Sequence, residues 1–223
     1  MPEIAAEKLP RPVFETIFAF PPNRATMGGT AYLIREETGN ILVDCPPMTE
    51  TSQQFIHDQG GVRWLFITQR GAIADVGELQ ATFNCQVLIQ EQEAYLLPGL
   101  EVTRFQHQFQ LSPTSEALWT CGYSPGSACL YHHSYGGVLF TGRHILPDAQ
   151  GNPTPLRLAK TFHWRRQLQS IQALRDRFSA ETLHYICPGA NSGFLRGKRA
   201  IDHAYERLLQ LDLEGQLPTN PLL

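Results

Sequence analysis

Between Val102 and Gly142 the sequence holds only short β-forming runs separated by turns, and this stretch limits the fold more than any other. Thr103 to Leu111 alternates imperfectly, and Ala117 to Thr120 is short. Ala128 to His133 pairs naturally with Val138 to Thr141 across Ser134-Tyr135-Gly136-Gly137. On both sides of this block, strand and helix signals alternate. Upstream, Thr30 to Arg35 and Asn40 to Val43 read as a hairpin turning through Thr38-Gly39, and Val62 to Thr68 is a β-branched and aromatic run suited to a buried strand. Val76, Leu79 and Phe83 then recur at helical spacing behind Asp75, with Glu78 three residues on, the form of a capped helix start. Cys85 to Ile89 reads as a strand and Glu91 to Leu97 as a short helix ended by Pro98-Gly99. Downstream of a Pro/Gly-rich crossing (Pro147 to Pro155), Leu168, Ile171, Leu174 and Phe178 mark one face of a helix. Leu183 to Cys187 is the final strand, and Ile201, Ala204, Tyr205 and Leu208 line the last helix. Two blocks of strands, each followed by helices, predict a mixed α/β domain with two sheets face to face and helices outside. The reading is one domain over 13–213, with Pro-punctuated, irregular termini at 1–12 and 214–223.

Composition narrows the setting. At 223 residues the chain suits one sizeable domain and is short for two. No apolar run is long enough to span a bilayer, so no membrane partner is expected. The start, Met1-Pro2-Glu3-Ile4, lacks the basic and apolar regions of a secretory signal. Five cysteines (Cys45, Cys85, Cys121, Cys129, Cys187) are scattered, odd in number and never spaced as Cys-x-x-Cys. Reduced, buried thiols and a cytoplasmic location follow as expectations. A net charge of −3 offers no footprint for nucleic acid.

Four landmarks stand in order at the predicted strand ends: Thr68-Gln69-Arg70-Gly71-Ala72-Ile73-Ala74-Asp75, Gly122-Tyr123-Ser124-Pro125-Gly126, Leu139-Phe140-Thr141-Gly142-Arg143 and Pro188-Gly189-Ala190. They resemble the metal-binding loops of the metallo-β-lactamase superfamily, which read Thr-His-x-His-x-Asp-His, Gly-His-Ser-x-Gly, Phe-Thr-Gly-Asp and Pro-Gly-His. The resemblance spans roughly Gly28 to Tyr205. It implies an αββα sandwich of two mixed sheets flanked by helices, with the loops gathered along one sheet edge. It also implies hydrolysis of esters, thioesters, lactams or phosphodiesters through a di-zinc or di-iron centre.

The frames are kept and the ligands are not. In an ungapped match Gln69 and Gly71 stand at the two histidines of the first loop, with Ile73 and Ala74 at the Asp and His that follow; with a two-residue insertion, Asp75 stands for the aspartate and Val76 for the histidine. Tyr123 replaces the histidine of the second loop, Arg143 the bridging aspartate of the third and Ala190 the last histidine. An amide, a phenol, a guanidinium and a methyl group do not hold a divalent pair, and arginine brings a positive charge and no usable lone pair. The di-metal cofactor is therefore expected to be lost.

A half-buried guanidinium needs a carboxylate, carbonyls or an anion. Either Asp75 pairs with Arg143, or Asp75 caps its helix and Arg143 faces the cleft beside Arg70 and Tyr123, an arrangement suited to a carboxylate or phosphate. Gln69, Arg70, Asp75, Tyr123, Arg143 and the adjacent His144 form the candidate ligand-binding set. A relocated metal held by His144 with Asp75 or Asp148 is an alternative. Strand alternation sends His132 and His133 to opposite faces, so at most one of them joins His144. Ser124 sits in a Gly-x-Ser-x-Gly frame, but a strand follows almost at once, unlike the strand-to-helix turn a nucleophile elbow needs. Three functions are thus in contention: a non-catalytic pseudo-hydrolase binding a small anion or a partner, a divergent hydrolase with a relocated metal or none, and a structural subunit that offers a partner surface around Phe162-His163-Trp164.

Overall fold

Two mixed β-sheets organise residues 8–222, the span described by the computed structural model. The expectation for residues 1–7 and 223 lies outside the described residues. The first sheet runs β1 (Arg11–Pro12), β2 (Ile17–Ala19), β3 (Tyr32–Ile34), β4 (Ile41–Val43), β5 (Trp64–Ile67), β6 (Gln86–Gln90) and β7 (Val102–Phe105) in sequence order. Its first four strands pair antiparallel and the rest join in parallel. In the second sheet β8 (Gln108–Ser112), β9 (Ser115–Trp119), β10 (Ala128–His132) and β11 (Val138–Gly142) form an antiparallel meander, and β14 (Tyr185–Pro188) adds in parallel to β11. Between them in sequence, β12 (Leu146–Pro147) and β13 (Pro153–Thr154) form a small hairpin inside the Pro/Gly-rich crossing. Helices α1 (Glu50–Asp58) and α2 (Val76–Phe83) follow strands of the first sheet, while α3 (Trp164–Arg177) and α4 (Ala204–Leu209) flank β14.

Period-two alternation distributes the apolar residues over three layers. Tyr32, Ile34, Phe66, Leu130 and Phe140 point between the sheets and form one core. Their sequence neighbours Leu33, Leu65 and Ile67 point outward against Ile56 of α1 and Leu79 of α2. On the far side, Cys129, Leu139 and Ile186 meet Ile171 and Leu174 of α3 and Leu208 of α4. The result is the expected αββα order. Phe66 and Phe140 are wholly buried, and each burial contributes about 1.5–3 kcal/mol.

Several elements differ from the sequence reading, each for an identifiable reason. Thr103 to Leu111 is two strands in facing sheets, with the chain crossing at Gln106 and His107. Phe105, Phe109 and Leu111 all pack into the same inter-sheet core, so the inward alternation continues through the crossing and hides it. Helix α1 was not anticipated: only Ser52 and Ile56 are buried along it, too thin a stripe to signal, although Thr49 caps it by accepting from the Ser52 amide at 3.2 Å. Arg11–Pro12 pairs with β2 inside the N-terminal segment expected to be irregular. The five cysteines are buried and unpaired.

Candidate functional site

The four loops do meet, at the edge where β4, β5, β11 and β14 end. Asp44 closes β4 in a left-handed conformation (φ 61°), which a short polar side chain tolerates better than most. Its carboxylate accepts from the Thr68 amide and from Thr68 Oγ1, both at 2.8 Å, and so sets the direction in which the chain leaves β5. Burial pushes the Asp44 carboxyl up to about 6, while the two Thr68 bonds and the charge of Arg143 pull the other way. The Thr68 carbonyl in turn accepts from Ala128 at 2.8 Å, tying the first sheet to the second. Gly142 (φ 52°) ends β11 so close to this point that a Cβ would lie 2.3 Å from Thr68 Oγ1. Gly189 donates to the Gly142 carbonyl at 2.7 Å, and Tyr32 Oη donates to the Pro188 carbonyl at 2.8 Å.

The candidate residues fall into place on this frame. Gln69 is buried, and its Oε1 accepts from the Gly71 amide at 2.6 Å, capping the short 3₁₀ turn Arg70–Ala72. Arg70 leans outward, with Nε 3.3 Å from Glu93 Oε1; the same oxygen accepts from the Gly126 amide at 3.2 Å. Tyr123 is buried on the loop after β9. Burial raises its phenol above the usual value, against the opposing charges of Arg143 and Arg70, so the three residues share one electrostatic environment. At Gly122 a Cβ would meet the Gln167 backbone at 2.2 Å, so this loop is clamped directly onto α3. Ser124 is sealed, its Oγ 2.9 Å from Ser127 Oγ, and no nucleophile elbow forms.

Among the described residues Arg143 is answered by backbone carbonyls and not by Asp75. Its Nη2 donates to the carbonyls of Met27 (2.7 Å) and Thr26 (3.3 Å), on the loop between β2 and β3. Asp75 is exposed at the start of α2, makes no side-chain capping bond and forms no ion pair with Arg143 among the described residues. Backbone carbonyls thus answer the guanidinium charge, and Asp75 is left to solvent. His144 is only 1% exposed, and neither ring nitrogen has a partner among the described residues; burial drives its pKa down to about 3. It is a neutral interior ring that an incoming ligand does not reach, and it does not join Asp75 or Asp148. The Asp148 carboxylate is engaged by the amides of Gln150 and Asn152 in its own turn.

Sequence reasoning missed the loop of residues 20–31, which covers this centre. Asn23 anchors it by donating to the carbonyls of Cys45 and Pro46, both at 3.0 Å. Met27, in the left-handed region at φ 55°, reaches back over the first loop, so that a Cβ on Gly71 would lie 2.9 Å from both Met27 Cε and Gln69 Oε1. Lys160 Nζ approaches Met27 Sδ at 3.0 Å from outside. The pair Gly28-Gly29 behind Met27 signals a tight turn, but nothing local in the sequence says what the turn covers.

A metal pair does not fit these residues. The donors at the ligand positions are a capping amide, a protonated phenol and a guanidinium, and no side chain can be added at Gly71 without displacing Met27. Among the described residues no three His, Cys, Asp or Glu side chains come together as a metal-holding group.

No family model matches the sequence, and no curated protein matches it. Solved structures do match in shape. A metallo-β-lactamase family protein from Thermus thermophilus superposes with a TM-score of 0.66 at 16% identity, covering 92% of this chain and 81% of that one. An archaeal metallo-β-lactamase superfamily protein from Sulfolobus tokodaii gives 0.63 at 12% identity, covering 94% and 89%. A quorum-quenching N-acyl homoserine lactone hydrolase gives 0.56 at 18% identity, covering 78% and 90%. The chain therefore has the metallo-β-lactamase fold. At such identities the likeness is one of fold and says nothing about reaction.

Proposed function

We propose that this chain is a non-catalytic member of the metallo-β-lactamase superfamily, a cytoplasmic pseudo-hydrolase whose cleft receives a small anionic molecule or an acidic group of a partner. The observation that carries the reading is the position of Arg143. Its guanidinium sits at the end of β11, where the family's bridging carboxylate belongs, and is fixed there by the carbonyls of Thr26 and Met27. A cation held in that seat repels dications and attracts anions. The Tyr123 phenol, held protonated by burial, supplies a further donor that feels the Arg143 charge, and Met27 closes over Gly71 where a histidine would otherwise project. The five buried, unpaired thiols support the location.

The test is metal analysis of protein purified without an affinity tag, combined with turnover of ester, thioester, lactone and phosphodiester substrates with and without added zinc, iron or manganese. We expect substoichiometric metal and no turnover in any condition. Stoichiometric zinc or iron, or hydrolysis that appears on adding metal and disappears on chelation, refutes the reading.

A further inference from the structure

A second cavity, which neither Arg143 nor Tyr123 lines, has a specific chemistry. It has a volume of about 350 Å³ and opens between the first strands of the domain and the loop that follows β14. Four cationic side chains line it, Lys8, Arg11, Lys198 and Arg199, and among the described residues no carboxylate does. That bias runs against the chain as a whole, in which 21 acidic residues outnumber 18 Lys and Arg. Lys198 shares its charge with Asp202 at 2.9 Å, whereas Lys8, Arg11 and Arg199 form no ion pair among the described residues.

The floor and one wall complete the picture. Thr30 and Ser192 contribute hydroxyls whose oxygens lie 3.4 Å apart, too long to satisfy either fully, so both retain capacity to bond a guest. Thr30 is buried and held by its amide bond to the Gly189 carbonyl at 2.9 Å, which fixes its side chain's origin relative to the sheet edge. Phe20, Pro21 and Pro22 add an apolar part to the lining. Three uncommitted positive charges over a pair of hydroxyls match a dianion with several acceptor oxygens better than a single carboxylate. An apolar wall of this size accommodates a small organic body and leaves the charged end at the cations.

We propose that this cavity is a binding site for a small phosphate monoester, its phosphate held by Arg11, Arg199 and the Thr30 and Ser192 hydroxyls and its organic group packed on Phe20 to Pro22. This inference goes beyond the pseudo-hydrolase reading and holds whether or not the cleft beside Arg143 binds anything.

The experiment titrates the full chain with phenyl phosphate and, separately, with inorganic phosphate, following affinity by calorimetry and location by amide chemical shifts. We expect phenyl phosphate to shift the amides of Thr30, Ser192, Gly193 and Gly197 and to bind more tightly than inorganic phosphate. Arg11→Gln and Arg199→Gln should each weaken it about tenfold, the scale of one charge-assisted contact, and the double variant should abolish it. No binding at millimolar phenyl phosphate overturns the proposal. So does binding that Arg143→Gln abolishes while Arg11→Gln and Arg199→Gln retain it, a result that would move the phosphate to the cleft and leave the pseudo-hydrolase reading standing. Equal affinity for inorganic phosphate overturns the assignment of an organic group to the apolar wall.

Discussion

Replacing Asp44 with asparagine isolates the cost of a carboxylate buried at the foot of the cleft. In the folded chain its pKa is raised from 3.8 to about 6. Below pH 4 the group is protonated both folded and unfolded, and its ionisation has no effect on stability. As pH rises from about 4 to about 6 the unfolded chain releases this proton first, so stability falls; above about 6 the full difference, about 3 kcal/mol, has been lost. Asparagine fits the same left-handed backbone, and its Oδ1 can keep the bond from the Thr68 amide while Thr68 Oγ1 turns to accept from Nδ2. Urea unfolding of wild type and Asp44→Asn at pH 4, 5, 6 and 7 reads the effect as a difference, in which all other carboxylates cancel. The variant should gain on the wild type steadily across that range, by about 3 kcal/mol in total. Any difference between the neutral carboxyl and the amide in their bonds to Thr68 offsets the whole difference curve by about 1 kcal/mol without changing its slope, the ionic bonds being already contained in the pKa. Adding Arg143→Ala to the wild type should move the Asp44 titration higher still, because the Arg143 charge now opposes the effect of burial. A flat difference curve, or one on which wild type gains with pH, refutes the account.

The opposite sign is expected at the other end of the sandwich, where Glu36 Oε1 lies 3.2 Å from His132 Nδ1 and accepts from Thr114 Oγ1 at 3.0 Å. Burial there raises the carboxyl, but the hydrogen bonds from His132, Ser112, Ser115 and Thr114 outweigh it and bring the pKa down to about 2. Glu36→Gln should therefore be less stable than wild type at pH 7, with the deficit shrinking as pH falls from about 4.5 toward 2, measured by chemical unfolding at each pH. Gly142→Ala should cost about 1–3 kcal/mol, read as a melting-temperature drop of several degrees, since the new methyl meets Thr68 Oγ1 and the backbone is left-handed; an unchanged melting temperature would mean that the two sheets do not touch there.

Much of the fold was legible because each sheet face carries its own alternation. The hairpin of β3 and β4, the buried run of β5 and the meander of β9 to β11 all declare themselves through period-two patterns ended by turn residues. Where the pattern is shared, it misleads: Phe105, Phe109 and Leu111 serve one core from two sheets, and the crossing between them leaves no trace. The site was legible only in part. Arg143 was readable as a side chain that does not ligate a metal, because a guanidinium has no usable lone pair. The partner of Arg143 was not readable, because carbonyls carry no sequence signature: Thr26 and Met27 are 117 and 116 residues away. His144 misled for a related reason, since adjacency to Arg143 says nothing about which neighbour turns inward.

The substitutions at the cleft form one electrostatic and steric unit rather than a set of independent losses. A carboxylate buried at this edge needs donors or positive charge beside it, and Asp44 has bonds from Thr68 that orient the first loop. Arg143 returns one positive charge to its neighbourhood and lowers the cost of ionising it. The same guanidinium needs acceptors of its own, and the carbonyls that supply them belong to the loop that carries Met27 over Gly71. Each change therefore supports the next: the cation draws the loop down, and the loop fills the space a ligand would need. Restoring a histidine at position 71 alone would place its Cβ 2.9 Å from Met27 Cε and Gln69 Oε1. Both atoms are the far ends of flexible side chains, so a side chain at position 71 requires Met27 and Gln69 to swing aside, and Met27 is tied through its carbonyl to Arg143.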